Sequence, residues 1–294
     1  MTFACRWLRA ALVALTALIG AGAPSAVHAQ QQPPALRVVT DSNTVQELHL
    51  RDGTKLVGHV VAIDGDRITF RTLGGIDFAL TRRDIVKIRE IEGFRTEGEF
   101  WERDAADSRL FVFPTARVPA HGRGYFGVYE LVVPAFGVGV GGIGMLSGGM
   151  SLIPSIPIED QVFYIATKLQ LVNVEYAQAA VGAMWIRPGG ADDAAGAFAS
   201  VTAGTELASF TGGLALPLYR TDQFDRPTAF FLGGEVRVAR TIKLMSETLI
   251  LPDDVTLIAL GMRILAGPVI VELAGVTATD TQGVLPLVNV TFSW

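Results

Sequence analysis

The sequence has 294 residues, of which 50% are hydrophobic and 18% are charged, with a net charge of -5 and a mean hydropathy of +0.39. This composition is oily for a secreted soluble protein, and the acidic balance (pI about 5.4) argues against nucleic-acid binding. After residue 29, no stretch approaches the ~18 consecutive apolar residues that a membrane helix needs. A β-barrel is the other structure that satisfies its backbone in lipid, so the composition favours a membrane barrel.

Residues 1–29 have the pattern of a secretory signal peptide. A basic start, an apolar run too short to span a bilayer and small residues before the cut predict cleavage after Ala29. The single cysteine, Cys5, lies inside this signal. The mature chain is therefore predicted to have no disulfide, no lipoprotein anchor and no cysteine-based metal site. Residues 30–44 are polar and contain prolines, which predicts a flexible tether.

Residues 45–92 contain short charged runs separated by glycine-bearing turns such as Asp64-Gly65. Glycine turns between alternating runs are hairpin signals, so this segment predicts a small periplasmic SH3-like or Sm-like β-barrel of four or five strands. His49 and His59 alternate with apolar residues here and are interpreted as strand residues rather than metal ligands. Residues 93–107 are charged without alternation and are predicted to be a linker.

Residues 108–294 show the alternation of longer strands, and the sequence predicts an antiparallel transmembrane β-barrel. Twelve strands are predicted, near 109–118, 124–140, 145–153, 162–172, 174–186, 197–206, 209–219, 227–238, 241–250, 255–264, 267–276 and 284–294. Longer and shorter connections alternate, which is typical of outer-membrane barrels with short periplasmic turns and longer external loops. An even strand number would place both barrel ends, and the preceding module, on the periplasmic side.

The second predicted strand, 124–140, is longer than a crossing requires and contains Pro134. Proline removes a hydrogen-bond donor from the strand ladder, so one long strand with a bulge is predicted. The alternative interpretation divides the run into two strands.

Charges recur on one face of several of these strands, opposite apolar residues, which suits a polar lumen and a lipid-facing exterior. The candidates for lining the lumen are Lys168, Gln170, Glu206, Glu235, Arg237 and Glu272. Ion pairs among them would partly occlude the lumen. A soluble sandwich with its charges outward gives the same alternation, so alternation alone does not decide between the two.

The last strand, 284–294, has one apolar face and ends on an aromatic residue. It resembles the closing strand of Gram-negative outer-membrane barrels, whose terminal aromatic residue is read by the barrel insertion machinery. The resemblance implies that Val290, Phe292 and Trp294 form this insertion signal. Outer-membrane lipids and the insertion machinery are therefore the expected partners, together with a periplasmic partner of the N-terminal module.

A second resemblance is confined to residues 109–153. It is carried by Arg109-Leu-Phe, Pro114-Thr-Ala-Arg117, Gly122-Arg-Gly-Tyr-Phe126, Pro134-Ala-Phe-Gly-Val138 and Ser147-Gly-Gly-Met-Ser-Leu-Ile-Pro154. These segments resemble a group of uncharacterised outer-membrane β-barrel proteins of Gram-negative, Bacteroidetes-like bacteria. The resemblance implies a barrel with a small SH3-like or Sm-like N-terminal module, and it implies no activity and no catalytic residues.

Catalytic and metal-binding patterns are weak in this sequence. His121 could pair with Ser147 or Ser151 in a lipid hydrolase, but no nucleophile motif accompanies them. The Asp192-Asp193 pair is interpreted as a solvated loop rather than a Ca²⁺ site. We therefore predict no cofactor, no metal and no enzymatic activity. A passive pore for small solutes is favoured, and a non-conducting scaffold or a lipid-acting enzyme are the alternatives.

Overall fold

The computed structural model describes residues 36–39, 43–187, 193–218, 228–251, 255–279 and 283–294. The chain divides into two compact units between Arg103 and Asp104. The predicted signal peptide and most of the predicted tether lie outside the described residues. Among the described residues, no helix is long and apolar enough to cross a membrane.

The first unit is an open six-stranded antiparallel sheet. Its strands are β1 (Thr44–Leu50), β2 (Lys55–Asp64), β3 (Arg67–Thr72), β4 (Asp77–Thr81), β5 (Ile85–Thr96) and β6 (Glu99–Glu102). They lie in the order β4-β3-β2-β1-β5-β6, and a single 3₁₀ turn, Arg82–Asp84, joins β4 to β5. The predicted small barrel is wrong in its closure, because β4 and β6 are the two edges of the sheet and do not pair with each other.

Residues 93–102, predicted as part of a linker, belong to this sheet. Strand β5 runs through Thr96, and a turn with positive φ at Glu97 and Gly98 leads into β6. Trp101 of β6 lies 6.2 Å from Phe94 of β5 between ring centroids. An edge strand tolerates charged side chains along its exposed faces, so its apolar alternation is weak in the sequence.

The core of the first unit consists of apolar side chains from four strands that exclude solvent. They are Leu48, Val60, Ile68, Phe70 and Ile85. A core of this size stabilises a domain of about 60 residues only marginally, so each large side chain carries a substantial part of the stability.

We expect residues 36–103 to fold alone, with a cooperative β-type melt by circular dichroism. Phe70 is fully buried, so Phe70→Ala should cost about 3–5 kcal/mol and leave this small fragment mostly unfolded. Phe78→Ala is the control, because Phe78 is 39% exposed and should lose far less. A disordered spectrum for the unmodified fragment would show that the sheet needs the rest of the chain.

The second unit is a closed antiparallel β-barrel of twelve strands, which confirms the predicted all-β class and the predicted number of barrel strands. The strands are β7 (Gly124–Tyr129), β8 (Val133–Val140), β9 (Gly144–Met150), β10 (Phe163–Val174), β11 (Ala177–Arg187), β12 (Ala194–Gly204), β13 (Ala208–Pro217), β14 (Ala229–Ala239), β15 (Ile242–Ile250), β16 (Thr256–Ala266), β17 (Val269–Ala278) and β18 (Leu285–Ser293). The barrel closes where β18 pairs with β7, with Phe292 opposite Phe126.

The run 124–140 forms two strands, β7 and β8, so the prediction of one long strand was wrong. The Val132 N–H donates to the Tyr129 carbonyl at 3.1 Å, across a turn with φ of 50° at Glu130 and 61° at Leu131. Positive φ at both central residues is the type I′ hairpin geometry, which usually takes Asn or Gly. Glu-Leu carries no such signal. Pro134 lies within β8 and does not end it.

The two ends of the barrel differ in the length of their connections. One end has turns of two or three residues, at 141–143, 175–176, 205–207, 240–241 and 267–268. The opposite end has the turn 130–132 and five longer connections, at 151–162, 188–193, 218–228, 251–255 and 279–284. Strand β7 begins at the short-turn end and β18 finishes there. We refer to these as the short-turn end and the long-loop end.

Candidate functional site

Residues 104–117 fold back inside the barrel, and we call this segment the lumen hairpin. The Leu110 N–H donates to the Phe113 carbonyl at 2.8 Å, and the Thr115 N–H donates to the Ser108 carbonyl at 3.1 Å. The two limbs therefore pair across a tight tip. Asp104 and Arg117, at the two ends of the hairpin, both contact wall residues close to the short-turn end.

The predicted first strand, 109–118, is this hairpin rather than part of the barrel wall, so that prediction was wrong. Arg109 and Arg117 pair with wall carboxylates, whereas the adjacent Leu110 and Phe111 pack together in one apolar cluster. The mixture of charged and apolar residues in this segment therefore reflects contacts inside the barrel and not a boundary between lumen and lipid. The barrel still has twelve strands, because the division of 124–140 replaces the lost one.

Seven charges form one continuous chain between the lumen hairpin and the wall. The hairpin supplies Asp104, Arg109 and Arg117, and the wall supplies Glu235, Lys243, Arg263 and Glu272. In order along the chain the pairs are Arg109–Glu272 (2.8 Å), Glu272–Arg263 (2.6 Å), Arg263–Asp104 (2.6 Å), Asp104–Lys243 (3.0 Å), Lys243–Glu235 (3.1 Å) and Glu235–Arg117 (2.6 Å). Signs alternate throughout, so each charge has an opposite neighbour.

Arg263 on β16 is the third member of this chain and is completely buried. Its guanidinium donates to the carboxylates of Asp104 and Glu272, and also to the backbone carbonyls of Arg109 and Leu110. Arginine presents several donors in a fixed plane, which suits a residue that must hold several acceptors at once. One wall residue thus holds both the start of the hairpin and its ascending limb.

Backbone groups of the hairpin are satisfied by polar side chains of the wall. The Glu247 carboxylate accepts from the backbone N–H groups of Val112 and Phe113 at the tip. The Lys168 ammonium donates to the carbonyls of Ser108 and Thr115, one on each limb. Because an unpaired buried peptide group costs free energy, these contacts stabilise the hairpin inside the lumen.

Apolar contacts hold the tip against the wall. Phe113 stacks on Phe231 of β14 with ring centroids 5.3 Å apart. Leu110 lies against Gly233 on the same strand, where any larger side chain would overlap it. Leu110 and Phe111 are both buried. The hairpin is therefore packed as well as ion-paired.

The structure places the predicted lumen residues as follows. Lys168, Glu235 and Glu272 are buried and contact the hairpin, and Gln170 donates to the carbonyl of Ala116. Arg237 is buried and donates to the carbonyl of Arg240 beside the 240–241 turn. Glu206 lies in the 205–207 turn rather than on a strand.

Sequence reasoning missed Lys243, Glu247 and Arg263. In β15 the order Ile-Lys-Leu-Met-Ser-Glu places Lys243, Met245 and Glu247 on one face, and all three are buried. Charges at the first and last of these three positions could have predicted that this face of β15 points into the lumen. Arg263 stands alone among apolar residues in β16. Its partner Glu272 lies opposite it on β17, whereas its partner Asp104 is 159 residues away.

The other chemistry-bearing residues do not form a site. His121 Nδ1 accepts from the Gly141 N–H at the short-turn end, whereas Ser151 bonds to Gln161 beside the 151–162 loop. In the first unit, burial lowers the pKa of His59, so its ring is neutral at pH 7. Within the described residues, no three His, Cys, Asp or Glu side chains cluster as metal ligands. Asp192 lies outside the described residues.

A cavity of about 480 Å³ occupies the lumen between the lumen hairpin and the long-loop end. Its lining is mainly apolar and aromatic. Hairpin residues Ser108, Arg109, Phe111 and Phe113 contribute to it, together with the wall residues Tyr125, Tyr129, Met145, Tyr164, Ala166, Lys168, Met184, Phe198 and Phe231. The Arg109 guanidinium lies over the Tyr129 ring at 4.7 Å from its centroid.

The chain matches no protein-family model and no curated protein. Its fold is similar to that of solved barrels at low sequence identity. One is the KdgM porin in complex with disordered oligogalacturonate (7% identity, 58% of this chain and 98% of that one, TM-score 0.47). Another is a mutant Rh. blastica porin (11%, 85% and 97%, TM-score 0.34). A third is a loop-deletion mutant of OmpT, an outer membrane protein of Vibrio cholerae (12%, 85% and 96%, TM-score 0.32).

Proposed function

We propose that this protein is an outer-membrane β-barrel channel for small solutes whose lumen is closed by its own hairpin. The observation that carries the proposal is the placement of residues 104–117 inside the barrel, with each of the hairpin's three paired charges bonded to the wall. Separate features of the barrel support its location in a membrane, its orientation and the closure of its lumen.

The polarity of the barrel is the reverse of that of a water-soluble protein, which supports its location in a membrane. Large apolar side chains on the outer face are half exposed, among them Phe126, Phe210, Leu260 and Phe292, while the charged residues are buried inside. A water-soluble barrel would have the opposite arrangement, because an apolar belt of this extent in water is an aggregation surface. A bilayer provides the missing apolar solvent, and strands of nine to twelve residues, such as β10 to β18, are long enough to cross it.

The orientation is supported by the connections and by the last strand. Short turns in outer-membrane barrels face the periplasm, and longer loops face outward. We infer that the short-turn end, and with it the N-terminal unit that precedes Asp104, is periplasmic. Val290, Phe292 and Trp294 are exposed on the outer face of β18, where an insertion factor could contact them. We propose that they form the signal for the insertion machinery.

The closure is supported by burial in the half of the lumen nearer the short-turn end. Asp104, Lys243, Arg263 and Glu272 have no solvent-accessible surface, so water does not reach the charges at this level. Twelve strands enclose a lumen wide enough for a solute only when it is not filled by protein. Release of the hairpin would uncover a lumen lined by the six wall charges that contact it, three of each sign. They are Lys168, Lys243, Arg263, Glu235, Glu247 and Glu272. Such a lumen suits small polar solutes.

We expect the full-length protein to give no steady current in planar lipid bilayers. A variant in which residues 105–116 are replaced by a short Gly-Ser linker should give stable open channels. The matched control shortens the 151–162 loop by deleting 154–159, outside the hairpin, and should remain silent.

Steady current from the unmodified protein would show that the hairpin does not close the lumen. Silence of both the unmodified protein and the linker variant would favour the non-conducting scaffold instead. Both deletion variants must first show heat-modifiable mobility on gels, which reports a folded barrel.

A further inference from the structure

We propose that the cavity between the lumen hairpin and the long-loop end is a binding site for a small amphipathic carboxylate with an aromatic or acyl body. The proposal rests on the proposed function in one respect, since the hairpin must stay in the lumen to form the floor of the site. It adds a ligand class that pore closure alone does not require.

The size and lining of the cavity define the body of the ligand. A volume of about 480 Å³ lies within the range of pockets that enclose small organic molecules. Phe111, Phe113, Phe198 and Phe231 line it, with methionine side chains that adapt to irregular shapes. An aromatic ring or a short alkyl chain would bury its surface favourably.

The floor of the cavity defines the head group. Lys168 and Arg109 both line the cavity beside the lumen hairpin. Arg109 is neutralised by Glu272, but no carboxylate lies within ion-pair distance of Lys168 among the described residues. Asp107 acts on Lys168 only at longer range. The ammonium has three donors and gives two of them to carbonyls of the hairpin, so one remains.

Two buried donor atoms lie near Lys168. Ser108 Oγ and Arg109 Nε are buried and have no hydrogen-bond partner within the described part of the chain. Both residues line the cavity beside Lys168. A bound anion beside Lys168 would stabilise the ammonium form of this buried side chain. A carboxylate on an apolar body satisfies the floor and the walls together.

The test uses 2-naphthoate, a fluorescent aromatic carboxylate, with the full-length protein in lipid nanodiscs. Saturable binding is expected after subtraction of the signal from empty nanodiscs. The neutral analogue 2-naphthalenemethanol has the same ring system without the charge, and it should bind at least about tenfold more weakly, or 1.4 kcal/mol. Equal affinity for the two compounds would overturn the assignment of the head group.

Variants then locate the site. Ala166→Trp fills the cavity from β10, and Lys168→Met removes the charge at similar length, so each should weaken naphthoate binding about tenfold or more. Gln178→Met is the control, because Gln178 faces inward on β11 but lies outside the cavity and does not bond to the hairpin. Unchanged affinity in both Ala166→Trp and Lys168→Met would overturn the site.

The conductance of the same preparations separates this inference from the proposed function. If the unmodified protein conducts and does not bind naphthoate, the hairpin is not in the lumen and the floor of the cavity is absent. In that case the proposed function is wrong. Absent binding in a silent, folded protein would mean that the site itself is wrong.

Discussion

Replacement of Arg263 by methionine is expected to release the lumen hairpin and open the channel. Methionine keeps the length of the side chain but removes every donor, so Asp104 and Glu272 each lose a buried partner. Removal of one member of a buried ion pair typically costs about 3–5 kcal/mol. If the hairpin leaves the lumen, Asp104 returns to water and no longer needs a buried partner. The destabilisation caused by the substitution therefore cannot exceed the free energy with which the hairpin docks. We therefore expect steady current from a barrel that remains folded.

The matched control is Arg187→Met at the end of β11. Its ion pair with Asp193 has a similar distance, 3.1 Å, but the Arg187 side chain is 55% exposed. Exposed pairs contribute about 0–1 kcal/mol, so this variant should stay silent and stable. Single-channel recording and denaturant unfolding measure the two effects. If Arg263→Met behaves like the control, the charge chain does not hold the hairpin.

Replacement of Leu260 by arginine is expected to impair folding into lipid vesicles. Leu260 is 67% exposed at the middle of β16, on the outer face of the barrel. In water, a charge at so exposed a position would be almost neutral for stability. At the middle of a bilayer, an outward arginine costs about 2–4 kcal/mol. This single substitution therefore distinguishes a barrel that lies in a membrane from a water-soluble barrel with the same fold.

Ile158→Arg provides the reference for that experiment. Ile158 is 74% exposed in the 151–162 connection, outside the strands, and should accept arginine in either solvent. Folding efficiency is read from the heat-modifiable band after dilution from urea into vesicles. Equal efficiency of the two variants would mean that the outer face does not contact lipid.

The nine strands β10 to β18 were predictable because alternation with period two persists through them. The total of twelve agrees only because the division of 124–140 offsets the loss of the predicted strand 109–118. The lumen hairpin was not predictable, because alternation reports that a segment has two different sides and does not report what those sides contact. Arg109 and Glu272 are 163 residues apart, and no local pattern links them. The turn at Glu130-Leu131 was also hidden, since tertiary pairing imposes positive φ on residues that do not prefer it.

The candidate site was predicted in part for the same reason. Lys168, Glu235 and Glu272 stand out as charges in oily strands, and the structure places them beside the hairpin. From the sequence they were predicted to line an open lumen, whereas in the structure they are bonded to the lumen hairpin. The contacts that Arg263 makes with the hairpin become visible only when β16 and the hairpin are placed side by side.

Both ends of the lumen hairpin reach the short-turn end, and this has a topological consequence. A segment that entered at one mouth and left at the other would have to be threaded before the ring of strands sealed at β7 and β18. Here the loop can be withdrawn from, or pushed into, a ring that is already sealed, with no chain end passing through. The barrel can therefore close first and the lumen hairpin can insert afterwards. The same hairpin can also leave the lumen and insert again.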